Sequence, residues 1–249
     1  MFLKRVGLEI AKGTRRSTTQ ITIQMNKLLL TASLALGLVP GLFADTLVLT
    51  SLNGGAAAGS TLVNFDSFTL GNTTQSDGPL TVDFSGSAEV VNGSVQNSYA
   101  APFLSGGNGT GFGSPNQPDG QDTTNYLTSG IGNLTFSFSS GQKYLGLLWG
   151  SVDDYNTLEF WSGGSLISSF TGLDVTASAN GDRGASGTYY VYVNDLDGSF
   201  DKVVAKSTTN AFEIDNVSYD TRSHIPDSGA TIALVGAALL GLAALRRKL

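Results

Sequence analysis

The sequence contains no cysteine and a single histidine, His224. Without cysteine there is no disulfide framework, no thiolate metal site and no cysteine nucleophile. A lone histidine beside the C-terminal segment argues against a Ser-His-Asp triad and against the usual zinc sites. Charged residues are also scarce, at 14%, whereas a hydrophobic share of 41% is enough to build a core. We therefore expect a globular protein that is not an enzyme.

Basic residues are scarce in the central part of the chain. Residues 45–229 hold five lysines and arginines against nineteen aspartates and glutamates, a net charge of −14. Because nucleic-acid binding depends on basic surface that neutralises phosphates, no nucleic-acid partner is expected. The other basic residues lie near the two ends of the chain.

An apolar run near the N-terminus has the pattern of a secretory signal peptide. Residues 25–44 read MNKLLLTASLALGLVPGLFA, with Lys27 before the apolar run and a small residue, Ala44, at its end. Cleavage after Ala44 would make Asp45 the first mature residue. We assign residues 1–44 to a leader and signal peptide. Two interpretations of residues 1–24 stay open, a long leader or a true start at Met25.

A second apolar run lies near the C-terminus. Residues 230–245 contain Thr231 as their only polar side chain and are followed by Arg246, Arg247 and Lys248. A spanning helix needs roughly 17–25 apolar residues, and the two residues before the run bring it to the edge of that range. Because basic residues favour the cytoplasmic side, we predict a transmembrane helix with a basic tail over residues 230–249.

A short motif precedes this run and consists of Ile225, Pro226, Asp227, Ser228 and Gly229. Motif, apolar segment and basic end together resemble the PEP-CTERM type of sorting signal, in the variant that reads Val-Pro-Asp-Ser-Gly, with isoleucine here in place of valine. The resemblance implies recognition by an exosortase, a membrane protease. The alternative is a plain single-span anchor, in which the aspartate or serine is only the N-cap of the helix.

The region between the two ends shows no helical periodicity. Short β-rich runs alternate with Gly, Asn, Asp and Ser, which is typical of a sandwich or barrel. We predict an all-β, jelly-roll-like β-sandwich over residues 45–221 and a linker with the sorting motif over residues 222–229. The predicted strands are 46–52, 63–70, 80–87, 134–138, 144–149, 157–161, 166–171, 189–193, 202–205 and 212–219.

Two segments of this region resemble recurrent segments of exosortase-dependent bacterial surface proteins. They are residues 143–157 (KYLGLLWGSVDDYNT) and 211–217 (AFEIDNV). The resemblance implies a secreted β-sandwich that is fixed on, or released to, the cell surface or its polysaccharide matrix. It offers no catalytic residues.

A glycine-rich segment, residues 102–125, separates the predicted strands. It lacks the Gly-Lys-Ser/Thr ending of a phosphate-binding loop, so no nucleotide site is expected there. A flexible surface loop and a ligand-binding loop both remain open.

Calcium is the metal ion that the sequence suggests. Asp195, Asp197 and Asp201 surround a glycine turn, and carboxylate oxygens are ligands that calcium prefers. The run lacks the twelve-residue loop and final glutamate of an EF-hand, and an acidic β-turn explains it as well. Weaker candidates are Asp153, Asp154 and Asp215.

Two further kinds of site stay open. A carboxylate-dependent hydrolase would need two facing carboxylates, for which the candidates are Asp153, Asp154, Glu159 and Glu213. A sugar-stacking platform could be formed by aromatic residues at strand positions, although core packing explains these as well. They are Trp149, Tyr155, Trp161, Tyr189, Tyr190 and Tyr192.

The sequence therefore predicts an exported bacterial surface or extracellular-matrix protein with a structural or adhesive role, sorted through its C-terminal signal. The expected partners are an exosortase-type protease, the membrane before processing, and extracellular polysaccharide. The alternatives are a calcium-assisted carbohydrate-binding module and a carboxylate-dependent hydrolase. Calcium is the one cofactor that the sequence suggests.

Overall fold

The computed structural model describes residues 46–52, 54–113 and 116–224, without the side chains of residues 51 and 52. Within these residues the chain forms fifteen strands and one short helix, α1 (Gly172–Val175). The strands are β1 (Leu47–Leu52), β2 (Thr61–Val63), β3 (Gln75–Asp77), β4 (Leu80–Gly86), β5 (Glu89–Asn92), β6 (Phe103–Leu104), β7 (Gly120–Gln121), β8 (Asn125–Thr128), β9 (Gly132–Gln142), β10 (Tyr144–Gly150), β11 (Asn156–Ser162), β12 (Ser165–Thr171), β13 (Tyr189–Asp195), β14 (Phe200–Ser207) and β15 (Glu213–Asp220).

The strands form two antiparallel sheets in a sandwich-like arrangement. The seven-stranded sheet has the order β1-β13-β10-β15-β8-β5, with β2 also paired to β15. The six-stranded sheet has the order β12-β11-β14-β9-β4-β3, and β6 pairs with β7 in a separate ribbon. From β9 onward the chain passes repeatedly from one sheet to the other. The predicted all-β sandwich is confirmed.

The core lies between the two sheets, and β9 shows how the sequence builds it. Leu134, Phe136 and Phe138 are buried, whereas the serines and threonines between them are more exposed. Successive side chains of a strand point to opposite faces, so one face of β9 is apolar. Leu147 and Trp149 of β10 belong to the same buried cluster and supply apolar surface from the other sheet.

The outer face of the seven-stranded sheet is covered as well. All seven residues of β10 are buried, and β10 lies between β13 and β15. Leu104 and Phe112 come from the glycine-rich segment and pack against Leu148 and Tyr190. The glycine-rich segment is therefore attached to the sheet through Leu104 and Phe112.

The predicted strand over residues 63–70 differs from the structure. Strand β2 ends at Val63, and Phe65 has a positive φ of 56°. The N–H of Phe68 donates to the carbonyl of Phe65 at 2.9 Å and closes a turn. Strands β3, β5 and β8 were also absent from the prediction, because they are too short to show a period of two.

Two glycines form the tight turn of the β11–β12 hairpin. Gly163 and Gly164 have φ values of 54° and 84°, which side chains other than glycine rarely adopt. They join β11 to β12, which pair in antiparallel register. Two consecutive positive φ values suit the right-handed twist of the flanking strands.

In the part of the chain that the structure describes, no helix is long and apolar enough to cross a membrane. Residues 1–44, with Ala44 of the predicted cleavage site, and Asp45 lie outside the described residues. So do the sorting motif, the apolar run and the basic tail over residues 225–249. The domain boundaries assigned to these segments stay predictions.

Candidate functional site

A small polar cavity of about 170 Å³ lies where four loops meet. These are the loops that follow β5, β10, α1 and β14. The residues that decide its chemistry are Asn97, Ser151, Asp153, Tyr155, Arg183 and Glu213. Pockets for drug-sized ligands usually measure roughly 300–1,000 Å³, so this one suits a small polar group or the end of a chain.

Glu213 is the most deeply buried acid of the cavity, with 1% of its surface exposed. Its Oε1 accepts a hydrogen bond from the backbone N–H of Ala100 at 2.9 Å, and its Oε2 accepts one from the hydroxyl of Ser151. Burial raises the pKa of Glu213 to about 7, although both hydrogen bonds act in the opposite sense. The side chain is therefore partly protonated at neutral pH.

Asp153 and Tyr155 form the second polar pair of the cavity. The Tyr155 hydroxyl donates to Oδ2 of Asp153 at 2.6 Å. Burial raises the pKa of Asp153, the hydrogen bond from Tyr155 lowers it, and the charge of Arg183 also lowers it. Burial and the neighbouring carboxylate raise the pKa of Tyr155 above its usual range. The Tyr155 hydroxyl therefore favours the ionised form of Asp153, against the effect of burial.

The local sequence explains why these side chains meet. Glu213 begins β15 and pairs with Gly150, the last residue of β10, so Ser151 follows directly beside it. Ser151 has a positive φ of 38°, which turns the chain sharply after the strand. Gly181 lies against Asp153, where an added Cβ would come within 2.6 Å of the carboxylate oxygen. A larger residue would therefore push the loop away from Asp153.

The cavity is built for hydrogen bonding and less for acid-base catalysis. Both oxygens of Glu213 are already engaged by Ser151 and Ala100, and Oδ2 of Asp153 is engaged by Tyr155. A general acid must instead present its proton to the substrate. Amide, guanidinium and hydroxyl groups around the cavity are suited to binding hydroxyl groups of a ligand.

The structure brings together two of the four predicted hydrolase candidates. Asp153 and Glu213 line the same cavity, whereas Asp154 is exposed and is not part of its lining. Glu159 lies on β11 and forms an ion pair with Lys206 at 2.6 Å. The sequence predicted the acids as candidates but gave no indication that Ser151 and Ala100 would donate hydrogen bonds to Glu213.

The three predicted calcium ligands occupy different local settings. Oδ1 of Asp195 accepts the backbone N–H groups of Asp197 at 3.2 Å and Gly198 at 2.7 Å, as in an acidic turn. Oδ2 of Asp201 accepts the N–H of Gly163 at 2.9 Å. No group of three or more acidic or histidine side chains suited to a metal ion occurs among the described residues. The calcium site at this turn stays a prediction.

The aromatic residues divide into two groups. Trp149 and Tyr190 have no exposed surface, and Trp149 stacks on Phe212 with ring centroids 4.3 Å apart. These two belong to the packed interior and are unavailable to a ligand. The remaining four are partly exposed, and Trp161 is covered on one face by Lys202, 4.4 Å from the ring centroid.

The linker before the sorting motif is attached to the sandwich, a feature that the sequence did not reveal. The N–H of His224 donates to Oδ1 of Asn194 at 2.6 Å, and the Asn194 amide donates back to the His224 carbonyl at 3.3 Å. The His224 ring lies 4.8 Å from that of Tyr144 and contacts Asp220 at 2.8 Å. Arg222 and then His224 hold the pKa of Asp220 well below its usual range.

Comparisons with known proteins give one informative match. No curated protein matches the chain significantly. Among solved structures, a mutant of the family 29 carbohydrate-binding module CBM29-2 matches with 11% identity and a TM-score of 0.26, over 74% of this chain and 100% of that one. A similarity this weak supports no conclusion about ligand or fold.

The VPDSG-CTERM motif family matches residues 226–249, which confirms the resemblance seen in the sequence. The chain therefore carries a PEP-CTERM-like C-terminal sorting signal, which marks it as an exported, envelope-targeted protein.

Proposed function

We propose that this chain is a structural or adhesive protein of the cell surface or extracellular matrix, sorted and processed by an exosortase-type membrane protease. The observation that carries the proposal is the VPDSG-CTERM motif over residues 226–249, which follows an all-β domain. In this proposal residues 25–44 direct export, and residues 230–245 hold the chain in the membrane with the basic tail on the cytoplasmic side. The protease then cuts near residues 225–229.

The β-sandwich is the part that this processing would deliver. We propose a jelly-roll-like topology for it, supported by the repeated passage of the chain between the two sheets. A structural or adhesive role is consistent with a domain that has a continuous core and no cysteine. The engaged oxygens of Glu213 support a role in binding over one in catalysis.

Mass spectrometry of the mature protein tests the sorting proposal. In cells that possess the protease, the mature chain should end near Gly229 and lack residues 230–245. A Pro226→Ala variant should accumulate as the unprocessed form, whereas Thr221→Ala, exposed and outside the motif, should be processed normally. An intact C-terminus in the native protein would contradict the proposal and favour a plain membrane anchor.

Carbohydrate binding is the second candidate function, and the polar cavity favours it. Hydroxyl, amide, carboxylate and guanidinium groups line a space of about 170 Å³, which would accept one edge or the end of a sugar chain. Asp153 accepts a hydrogen bond from Tyr155 and keeps a second oxygen for a ligand hydroxyl. This mode would not need the buried Trp149 and Tyr190.

Titration with matrix polysaccharide tests this second function. Tyr155→Phe removes the hydroxyl that orients Asp153 and should weaken binding about tenfold, since a hydrogen bond to a charged group contributes roughly 1.5 kcal/mol or more. Tyr189→Phe makes the same change at a tyrosine that bonds the Ser186 carbonyl at 3.0 Å outside the cavity, and should bind like the native protein. Equal binding by all three proteins would exclude the cavity as the site.

A further inference from the structure

A group of polar side chains is buried between β15 and the glycine-rich segment. Asp122, Asp215 and Asn216 are 3%, 0% and 0% exposed, and none of them lines the cavity described above. Gln117 and Thr124 complete the group through hydrogen bonds. We call these five residues the buried acidic cluster.

Hydrogen bonds fix the orientation of this cluster. Thr124 donates to Oδ1 of Asp122 from its hydroxyl at 2.6 Å and from its N–H at 2.8 Å. The Gln117 amide nitrogen donates to the Thr124 hydroxyl at 2.8 Å, so the Gln117 amide oxygen is left to accept. This oxygen accepts a hydrogen bond from the side-chain amide nitrogen of Asn216 at 2.5 Å. This chain of bonds determines which side-chain oxygens stay free.

Four oxygen atoms of the cluster have no hydrogen-bond donor among the described residues. They are Oδ2 of Asp122, Oδ1 and Oδ2 of Asp215, and Oδ1 of Asn216. Buried polar atoms are almost always satisfied, and a buried carboxylate without a partner is among the most costly groups in a protein. Four such atoms from neighbouring residues call for a common partner.

A β-bulge lies in β15 within this cluster. Leu148 pairs with Asp215 and Gly146 pairs with Ser218, so β15 has one more residue than β10 in between. Asn216 lies in this bulge with a positive φ of 50°. Because a bulge breaks the strict alternation of side chains, the consecutive Asp215 and Asn216 can both serve one site. Bulges and left-handed residues of this kind recur at functional sites.

Two partners would suit a pair of buried carboxylates, a shared proton or a cation. Burial and the neighbouring Asp122 raise the pKa of Asp215, as a shared proton requires. The backbone N–H of Asn216 lowers this pKa, but it does not reach hydrogen-bonding geometry with either oxygen of Asp215. A proton between Asp122 and Asp215, however, would satisfy one oxygen of each. The second oxygen of Asp215 and the side-chain Oδ1 of Asn216 would stay unpartnered. A cation held by all three side chains would satisfy all four oxygens.

We infer that the buried acidic cluster is a calcium-binding site whose protein ligands are Asp122, Asp215 and Asn216. Calcium accepts carboxylate and amide oxygens, completes its shell with water and tolerates irregular geometry, whereas magnesium requires a nearly octahedral shell. Asp66, which is exposed, interacts electrostatically with both buried aspartates and would attract a cation from solution. The site differs from the acidic turn at Asp195.

The site would tie the glycine-rich segment to the sheet. Asp122 belongs to that segment, whereas Asp215 and Asn216 belong to β15. Bound calcium would cross-link the two and neutralise carboxylates in a domain of strongly negative charge. The inference is independent of the sorting proposal, because it depends only on residues of the sandwich.

Terbium luminescence and thermal unfolding of the purified full-length chain test the inference. Tyr190 donates to the Asn216 carbonyl at 2.8 Å, so its excitation should sensitise a terbium ion bound at the cluster. Calcium should displace terbium with a Kd on the order of 10⁻⁴ M, as in extracellular modules. Calcium at about a hundred times its Kd should raise the Tm by roughly 5 to 10 °C, and a chelator should reverse the rise.

Matched substitutions locate the ion. Asp215→Asn keeps the shape of the side chain and should abolish the luminescence and the Tm response. Asn216→Gly is the second variant, to be used if Asp215→Asn fails to fold. It removes one ligand, keeps the left-handed backbone, and should weaken calcium binding at least tenfold. Asp197→Asn makes the same charge change at an exposed residue of the acidic turn and should bind like the native protein.

The possible outcomes are distinct. Absence of terbium emission and of any calcium-dependent Tm change in the native protein would overturn the inference and leave the shared proton. Loss of binding in Asp197→Asn with binding intact in Asp215→Asn would also overturn it and place calcium at the acidic turn. Neither result would affect C-terminal processing, which is measured separately.

Discussion

Replacing Glu213 with glutamine should change how the stability of the domain depends on pH. Glu213 is 1% exposed, and burial raises its pKa to about 7 from an ordinary value of 4.5. Glutamine has nearly the same shape, keeps an oxygen that can accept from Ala100 or Ser151, and does not titrate. The variant therefore isolates the free energy associated with one proton.

The sign and size of the effect follow from proton linkage. The folded state binds the Glu213 proton more tightly than the unfolded state does. The contribution of this proton to the free energy of unfolding is therefore complete below pH 4.5 and is lost as the pH rises through 7. Between pH 5 and pH 8 the native protein should lose about 2 to 3 kcal/mol relative to Glu213→Gln. The raised pKa values of Asp153 and Asp215 act in the same direction in both proteins and largely cancel in the difference.

Urea unfolding from pH 5 to pH 8 at a fixed calcium concentration measures this difference. Trp149 stacks on Phe212, the residue before Glu213, so its fluorescence reports on the surrounding packing. Glu89→Gln makes the same exchange at a partly exposed residue outside the cavity and shows the effect of the substitution itself. If the free energy of unfolding of the native protein, minus that of Glu213→Gln, stays constant or rises between pH 5 and pH 8, the reasoning is refuted.

Three further predictions concern the sheet, the linker and the surface. Gly146→Ala should cost about 1 to 3 kcal/mol in urea unfolding, because an added Cβ would overlap the hydroxyls of two neighbouring side chains. Asn194→Ala removes both hydrogen bonds to His224 and should speed C-terminal processing in a pulse-chase experiment; an unchanged rate would show that this attachment does not limit the protease. Lys206→Met breaks the ion pair with Glu159, which is partly exposed, and should change the free energy of unfolding by less than about 1 kcal/mol.

The sandwich could be predicted from the sequence because its central strands carry their own pattern. Alternation in β9 and the continuous apolar run of β10 follow from burial of one face or of both faces. Strands β5 and β8 pair with each other across a long stretch of intervening chain, so their own residues give little signal. The turn at Phe65 was missed because a left-handed phenylalanine is rare and has no sequence signature.

The candidate sites were harder to predict, for a reason that the acids illustrate. Sequence reasoning selects carboxylates that are close together in the chain, such as Asp195, Asp197 and Asp201. In the structure Asp195 accepts backbone N–H groups of its own turn, and Asp201 accepts the N–H of Gly163 from the β11–β12 hairpin. Oδ2 of Asp122 and both carboxylate oxygens of Asp215 have no such donor, and these two residues come from distant segments that meet beside the bulge of β15. Function in this domain is therefore to be sought where the sheet pattern is broken, since regular pairing leaves few polar atoms free to bind a ligand.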